Sequence, residues 1–359
     1  MDINRRTFGA GAASAAAAAA LPAPSWAMPP SMGFKKTPLV IAHRGASGER
    51  PESTLLAFRQ AIAEGADFIE PDLEVTKDGH LVVRHENEIS QTTDVANRPE
   101  FASRKATKDV QGQKVTGWFT EDFTLAELKT IRCRERLPKL RPGSAAYDGQ
   151  EQIPTYQEVI DLAKSESKRL GRVIGTYPEL KHASHFEALG LKMEGRLADI
   201  LKKNGLNSET APVFIQCFDV LPLKTMMGLV KCQRIQLTSG GGAPTDSKST
   251  PYKDMVSASG MKTIATYAHG VGPDYTQVIP TVDGGLGPAT ALVKDAHAAG
   301  IAVHPYTVRA ENAFLPPKLH IGTDPAAHGD VDALYKALLA AGVDGLFSDF
   351  PGLWAKARG

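Results

Sequence analysis

The chain has 359 residues and a formal net charge of +1. That balance gives no basic excess for nucleic acid or for an anionic membrane surface, and three cysteines are too few for a disulfide scaffold. The length allows one large domain or two smaller ones.

Residues 1–27 read as a cleaved export signal. Arg5 and Arg6 precede an Ala-rich run that ends at Leu21, and Ser25-Trp26-Ala27 offers a small-x-small cleavage site. The paired arginines point to the Tat route and to a periplasmic or secreted protein. The run is too short and too weakly apolar to span a membrane, so no stable membrane association is expected. Cleavage would remove Asp2, Arg5 and Arg6 and leave no net charge.

A Pro-rich lead-in at 28–37 opens the remaining chain. Apolar runs at 38–42, 68–75 and 81–84 read as strands. Between the first two, the pattern predicts a helix over 54–64, capped by Ser53 or Thr54 and stopped by Gly65. Gly45 and Gly48 let the loop before it turn tightly. From 86 to 153 the strand–helix rhythm is lost in polar, turn-rich sequence broken by a short helix at 125–131. So long an irregular stretch reads as a lid or a small subdomain. It leaves the chain just after His85, so it should overhang that residue.

The rhythm resumes with helices at 154–170, 188–204, 223–230, 289–299 and 331–341. Strand candidates are 39–43, 67–75, 80–85, 173–180, 213–218, 234–238, 270–273 and 301–306, with 344–348 as a ninth. This alternation is α/β, and eight parallel strands close a TIM barrel. Nine is one too many, unless one is not a barrel strand. Little more than Lys77-Asp78-Gly79 joins 67–75 to 80–85, too short a link for a parallel crossover. Those two form a hairpin, or one of them lies outside the barrel.

The reactive side chains gather at strand ends. His43 and Arg44 end the first strand, and His85 ends the third. Glu70 and Asp72 are two apart on one strand and share a face. Glu179 and Lys181 close a later strand. Three carboxylates with no Cys or His on the same strand face suit a hard cation, Ca²⁺ or Mg²⁺, rather than zinc. Burying even a neutral polar group unpaired costs about 2–7 kcal/mol, which argues against an idle glutamate mid-strand. Arg44 and Lys181 suit a phosphate, the first as a fork and the second as a point charge. Two imidazoles, with ordinary pKa of about 6.5, suit the giving and taking of a proton near neutrality.

Together these motifs resemble the glycerophosphodiester phosphodiesterase family. The run beginning H-R-G-A-S-G at His43 is followed by E-P-D-L-E-V-T-K-D at Glu70, L-V-V-R-H ending at His85, and Y-P-E-L-K ending at Lys181. The runs I-Q-C-F-D, G-V-G-P-D-Y, V-H-P-Y-T-V-R and G-L-F-S-D-F-P resemble its periplasmic bacterial branch. The resemblance implies a TIM barrel over 38–359 with an inserted subdomain at about 86–153. It implies a divalent cation, Ca²⁺ first and Mg²⁺ as the alternative, held by Glu70, Asp72 and Glu179. It implies His43 and His85 as the acid–base pair, Arg44 and Lys181 on the phosphate, and Glu52 beside the substrate. The expected reaction is hydrolysis of diesters such as glycerophosphocholine to sn-glycerol 3-phosphate and an alcohol. Two positions depart from the family pattern: Ser53 stands where Asn or His is usual, and Glu86 follows His85 where Asp is usual.

Trp118, Phe218, Tyr306 and Phe350 are candidates to pack on the glycerol or alcohol moiety, with core packing as the alternative. Two rival functions share these features. A phospholipase would need a membrane-facing apolar or basic stretch, and none stands out. An exported binding protein would need the cation and Arg44 but not two histidines.

Overall fold

A computed structural model describes residues 37–359, so the expected export signal at 1–27 lies outside the described residues. Eight strands close the barrel. They are β1 (Leu39–His43), β2 (Phe68–Glu70 and Asp72–Val75, either side of Pro71), β3 (Gly175–Thr176 and Glu179–Leu180), β4 (Phe214–Cys217), β5 (Gln233–Thr238), β6 (Gly270–Pro273), β7 (Ala302–Val303) and β8 (Gly345–Ser348). From β1 to β6 each pairs in parallel with the next, and β8 pairs with β1. The seam between β7 and β8 is closed by the amides of Asp344 and Phe347, which donate to the carbonyls of Val303 and Pro305 at 2.9 Å. One helix in the outer layer follows each strand, from Leu55–Ala63 after β1 to Pro351–Arg358 after β8. This is the TIM-barrel architecture expected from the alternation.

The surplus strand candidate is 80–85. Leu81–Val83 pairs antiparallel with Asp72–Val75 and stands outside the barrel as the return arm of a hairpin. Its link was too short to do anything else.

Pro71 and Pro178 each interrupt a barrel strand because proline lacks the amide that a ladder needs. Their carbonyls still serve the neighbouring strand, accepting from the amides of Glu179 and Gln216 at 3.0 Å.

Strand alternation sets the direction of every side chain. Leu39, Ile41, Phe68, Tyr177, Phe214, Ile235 and Phe347 fill the barrel interior. The alternate residues, among them Val40, Ile69, Leu73 and Ile215, pack under the helices. The inward rows continue upward from Ile41 to His43, from Phe68 to Glu70 and Asp72, and from Tyr177 to Glu179. The same pattern that builds the core therefore delivers those four side chains to the C-terminal mouth of the barrel.

The stretch expected to be irregular carries its own small core, including Val82, Phe101, Trp118, Phe123 and Ile131. It also holds an antiparallel hairpin, Ala106–Val110 with Gln113–Gly117, that the polar composition concealed. The short helix expected at 125–131 is Leu125–Leu128. Cys133, Cys217 and Cys232 are buried and free. Among the described residues no helix is long and apolar enough to cross a membrane.

Of the two residues expected to cap the first helix, Thr54 does so. Its hydroxyl accepts from the Ala57 amide at 3.1 Å and donates to the Pro51 carbonyl at 2.8 Å. Ser53 instead adopts a left-handed backbone (φ 58°), and its buried hydroxyl has no partner among the described residues. Thr54→Ala should cost about 1–2 kcal/mol, the upper range for a lost N-cap. A lower urea midpoint at unchanged m-value would show it.

Candidate active site

Glu70, Asp72 and Glu179 each offer a carboxylate oxygen, all within 4.8 Å of one another. All three are buried. Register makes the cluster: Asp72 lies beside Glu179 across β2–β3, and Glu179 lies beside Gln216 across β3–β4. Glu70 accepts from the Arg44 backbone amide and from the Gln216 side-chain amide, both at 2.8 Å. Lys181 Nζ lies 2.9 Å from Glu179. Neither oxygen of Asp72 has a hydrogen-bond partner among the described residues. Arg44 Nε stands 3.4 Å from it, near enough for charge attraction but without hydrogen-bond alignment.

Burial, with Asp72 and Glu179 alongside, pushes the Glu70 carboxyl well above its usual range. Burial pushes Asp72 up to about 7, with Glu179 adding and Arg44 and Lys181 opposing. A cluster of buried oxygens with unused lone pairs, and no nitrogen or sulfur donor among them, fits a hard divalent cation.

Arg44 enters the site on a left-handed backbone (φ 57°). That turn aims its amide at Glu70 while its guanidinium reaches Glu52 at 3.2 Å. A non-glycine residue in this region costs about 1–3 kcal/mol and persists only where its surroundings enforce it. Gly45 follows at φ 86°, and a Cβ there would lie 2.7 Å from Ala57. The tight loop foreseen around Gly45 is therefore forced by both backbone angle and close packing.

His43 Nδ1 lies 2.6 Å from Asp349 Oδ1. Asp349 also receives Arg141 at 2.6 Å and Arg309 at 3.0 Å. Burial would raise Asp349, but Arg309, Arg141 and His43 hold it well below the usual carboxylate range. An ionised acceptor fixes the His43 proton on Nδ1 and leaves Nε2 with a lone pair. Burial, then Arg44, lowers His43 to about 4 against the pull of Asp349.

His85 is built to the same plan. Its Nδ1 lies 2.5 Å from Glu86, and Lys181 Nζ lies 3.2 Å from its Nε2. An ammonium only donates, so Nε2 accepts and Nδ1–H donates to Glu86. Burial, then Arg44 and Lys181, pushes His85 well below its ordinary value.

His43, Arg44, Glu70, His85, Glu179 and Lys181 all line one cavity of about 220 Å³ at the barrel mouth. Its far wall is formed by Phe218, Leu237, Tyr275, Tyr306 and Phe314. Phe218 and Tyr306 are thus where a bound organic group would meet them. Trp118 is not: it packs inside the insertion and donates to the Phe101 carbonyl at 2.7 Å. Phe350 is buried in the outer core and meets His328 edge to face. Glu52 does not line the cavity either. It stands behind Arg44, and Arg136 Nη2 and Nε hold its two oxygens at 2.7 and 3.0 Å.

The glycerophosphoryl diester phosphodiesterase family matches residues 43–353. The chain belongs to this family. A glycerophosphodiester phosphodiesterase of Arabidopsis thaliana is 37% identical over 327 residues, covering 88% of this chain and 84% of the plant protein. One from Haemophilus influenzae is 30% identical over 349 residues, covering 89% of each. Similarity thus reaches a plant enzyme as well as bacterial ones. Among solved structures, a phosphodiesterase of Oleispira antarctica in complex with the product sn-glycerol-3-phosphate shares the fold. Its TM-score is 0.60 at 22% identity, over 89% of this chain and 96% of that one.

Asp349, Gln216, Arg136, Arg141 and Arg309 were not foreseen as site residues. Asp349 left one signal: it directly follows β8, and every strand end of a parallel barrel converges on one mouth. Arg309 closes the run V-H-P-Y-T-V-R of the family resemblance, but Arg136 and Arg141 left none, because their partners lie up to 208 positions away.

The carboxylate cluster has a pH signature. Asp72 holds its proton more tightly folded (about 7) than in an open chain, so its contribution falls as pH rises from about 4 through 7. Glu70 acts in the same direction. With chelator present, thermal unfolding should therefore be easier at pH 8 than at pH 5.5. Added Ca²⁺ should remove that difference, and Asp72→Asn in chelator should leave pH 8 stability intact or higher.

Proposed function

We propose that this enzyme, a phosphoric diester hydrolase by family membership, is an exported, cation-dependent glycerophosphodiesterase. Its substrates are small diesters such as glycerophosphocholine, and its products sn-glycerol 3-phosphate and the free alcohol. The observation that carries the reading is the cavity itself, onto which two imidazoles, three cationic side chains (Arg44, Lys181 and Arg309) and two of the three clustered carboxylates open together.

Glu70, Asp72 and Glu179 would hold the cation, with Ca²⁺ first and Mg²⁺ as the alternative. A cation held there would supply positive charge beside the phosphate and would lower the pKa of an attacking hydroxyl. Arg44 and Lys181 supply fixed positive charge where negative charge builds on the phosphoryl oxygens. They stay protonated because Glu52 and Glu179 sit against them. His43 and His85 each present Nε2 to the cavity side with Nδ1 tied to a carboxylate. One takes a proton from the attacking hydroxyl as the new P–O bond forms. The other, protonated on Nε2 once the anionic diester lies against it, gives that proton to the departing alkoxide as the old P–O bond breaks.

Phosphorus NMR of glycerophosphocholine with the purified protein tests the reaction. Conversion to glycerol 3-phosphate should stop with chelator and resume with Ca²⁺; conversion unaffected by chelator would remove the cation from the reading. His43→Ala and His85→Ala should each lower turnover about 10²–10⁴-fold, the usual worth of a positioned acid or base. A p-nitrophenyl diester, whose leaving group needs no proton, should rescue the variant lacking the acid and not the one lacking the base. A binding protein would instead keep its function after His43→Ala. For export, the Arg5→Lys, Arg6→Lys double variant should leave the protein inside a Tat-competent bacterial host, and normal export would refute the twin-arginine route.

A further inference from the structure

Two chains of contacts run from the insertion to the two imidazoles, and they are built alike. On one side His43 Nδ1 meets Asp349 at 2.6 Å, and Asp349 meets Arg141 at 2.6 Å. On the other, His85 Nδ1 meets Glu86 at 2.5 Å, and the second oxygen of Glu86 meets Arg136 at 2.5 Å. Both arginines come from the insertion, five residues apart in R-L-P-K-L-R. Asp349 directly follows β8, and Glu86 lies where the hairpin arm Leu81–Val83 gives way to the insertion. We infer that the insertion is a positioning element: Arg136 and Arg141 fix the carboxylates that orient the two proton-carrying histidines. The inference rests on the roles proposed for His43 and His85.

The donor inventory supports a positioning role over surface pairing. Arg141 is buried and spends its fork fully. Nε goes to Glu311 at 2.6 Å, Nη1 to the Ser47 carbonyl at 2.9 Å and Nη2 to Asp349. Ser47 in turn donates its hydroxyl to the His43 carbonyl at 2.7 Å, so Arg141 braces His43 from two directions. Arg136 bridges Glu86 and Glu52, and Glu52 backs Arg44. A single planar guanidinium thus sets the spacing between one histidine's carboxylate and the phosphate-binding arginine's carboxylate. Lysine could not hold two carboxylates with that geometry.

Glu86 explains one departure from the family pattern. Its side chain is one methylene longer than aspartate, and both of its ends are used, one on His85 and one on Arg136. A longer arm is what reaching a partner on the insertion requires.

The test uses the full-length enzyme and glycerophosphocholine. Arg136→Ala should lower kcat about 10–100-fold, the usual loss when a group that orients a functional side chain is removed. KM and Ca²⁺ affinity by calorimetry should hold. Guanidinium chloride at low, non-denaturing concentration should restore part of the rate, and Arg136→Lys should not. Glu86→Gln should cause a loss no larger, and the double variant should be no worse than Arg136→Ala alone, because the contact to His85 that Glu86 carries is already loosened in it. Arg141 is buried deeply enough that alanine there threatens folding, so Arg141→Lys is its probe, with the same kcat-only loss expected. Unchanged kcat in the folded Arg136→Ala and Arg141→Lys proteins would overturn the inference. So would a loss confined to KM or to the choice of diester, which would make the insertion an entrance and not a brace. His43→Ala and His85→Ala are measured alongside. If they keep turnover, the functional reading fails; if they lose it while the arginine variants do not, only this inference fails.

Discussion

Burying Glu70, Asp72 and Glu179 against one another is the constraint to which the rest of the site answers. Like charges at this separation in a low-dielectric setting repel strongly. The fold offsets that repulsion locally rather than avoiding it. The Arg44 amide and the Gln216 side chain donate to Glu70, Lys181 lies on Glu179, and the Arg44 guanidinium stands beside Asp72. The left-handed turn at Arg44 follows from the same demand, since only that turn sends the amide and the side chain of one residue to two different acids. A barrel interior packed with Phe68, Tyr177, Phe214 and Phe347 lies directly beneath. It keeps water away from the floor of the site, which strengthens both the repulsion and its remedies.

Much of this was legible beforehand, and the reason is geometric. Strand periodicity is two, so Glu70 and Asp72 had to share a face, and parallel strands all end at one mouth. His43, Glu179 and Lys181 could thus be brought together on paper from strand ends alone, whereas His85 reaches the site by the return of the antiparallel arm Leu81–Val83 toward Asp72. The count of nine strands was also resolvable in principle, because the three-residue link at 77–79 admits only a hairpin. The insertion hairpin was hidden by exposed, charged side chains, yet A-T-K-D-V and Q-K-V-T-G alternate around Gln111-Gly112, both with positive φ. That is the signature of a tight two-residue turn.

What stayed illegible was long-range pairing between charges. R-C-R-E-R-L-P-K-L-R reads as a solvated basic run, and nothing local distinguishes Arg136 and Arg141 from Arg132 and Arg134. Arg134 indeed only reaches the Ser90 carbonyl within the insertion. Glu52 illustrates the converse error. The family resemblance placed it beside the substrate, but two guanidinia claim its oxygens. A matching motif located the residue without revealing which way it faced. Ser53 has a similar moral: a residue type suited to capping was in the right place, but its backbone conformation had already given that role to Thr54.

The closure of the barrel also carries a consequence in time. His43 sits on the first strand and its carboxylate partner Asp349 follows the last, 306 positions later. A chain being made from its N-terminus holds the first imidazole, the three clustered carboxylates, Arg44 and Lys181 long before it holds Asp349. Until β8 docks between β7 and β1, one of the two histidines lacks its orienting partner and the core beneath it is open. The site is therefore complete only when β8 has closed the barrel, and a fragment that stops short of Asp349 holds most of these side chains without the geometry that joins them.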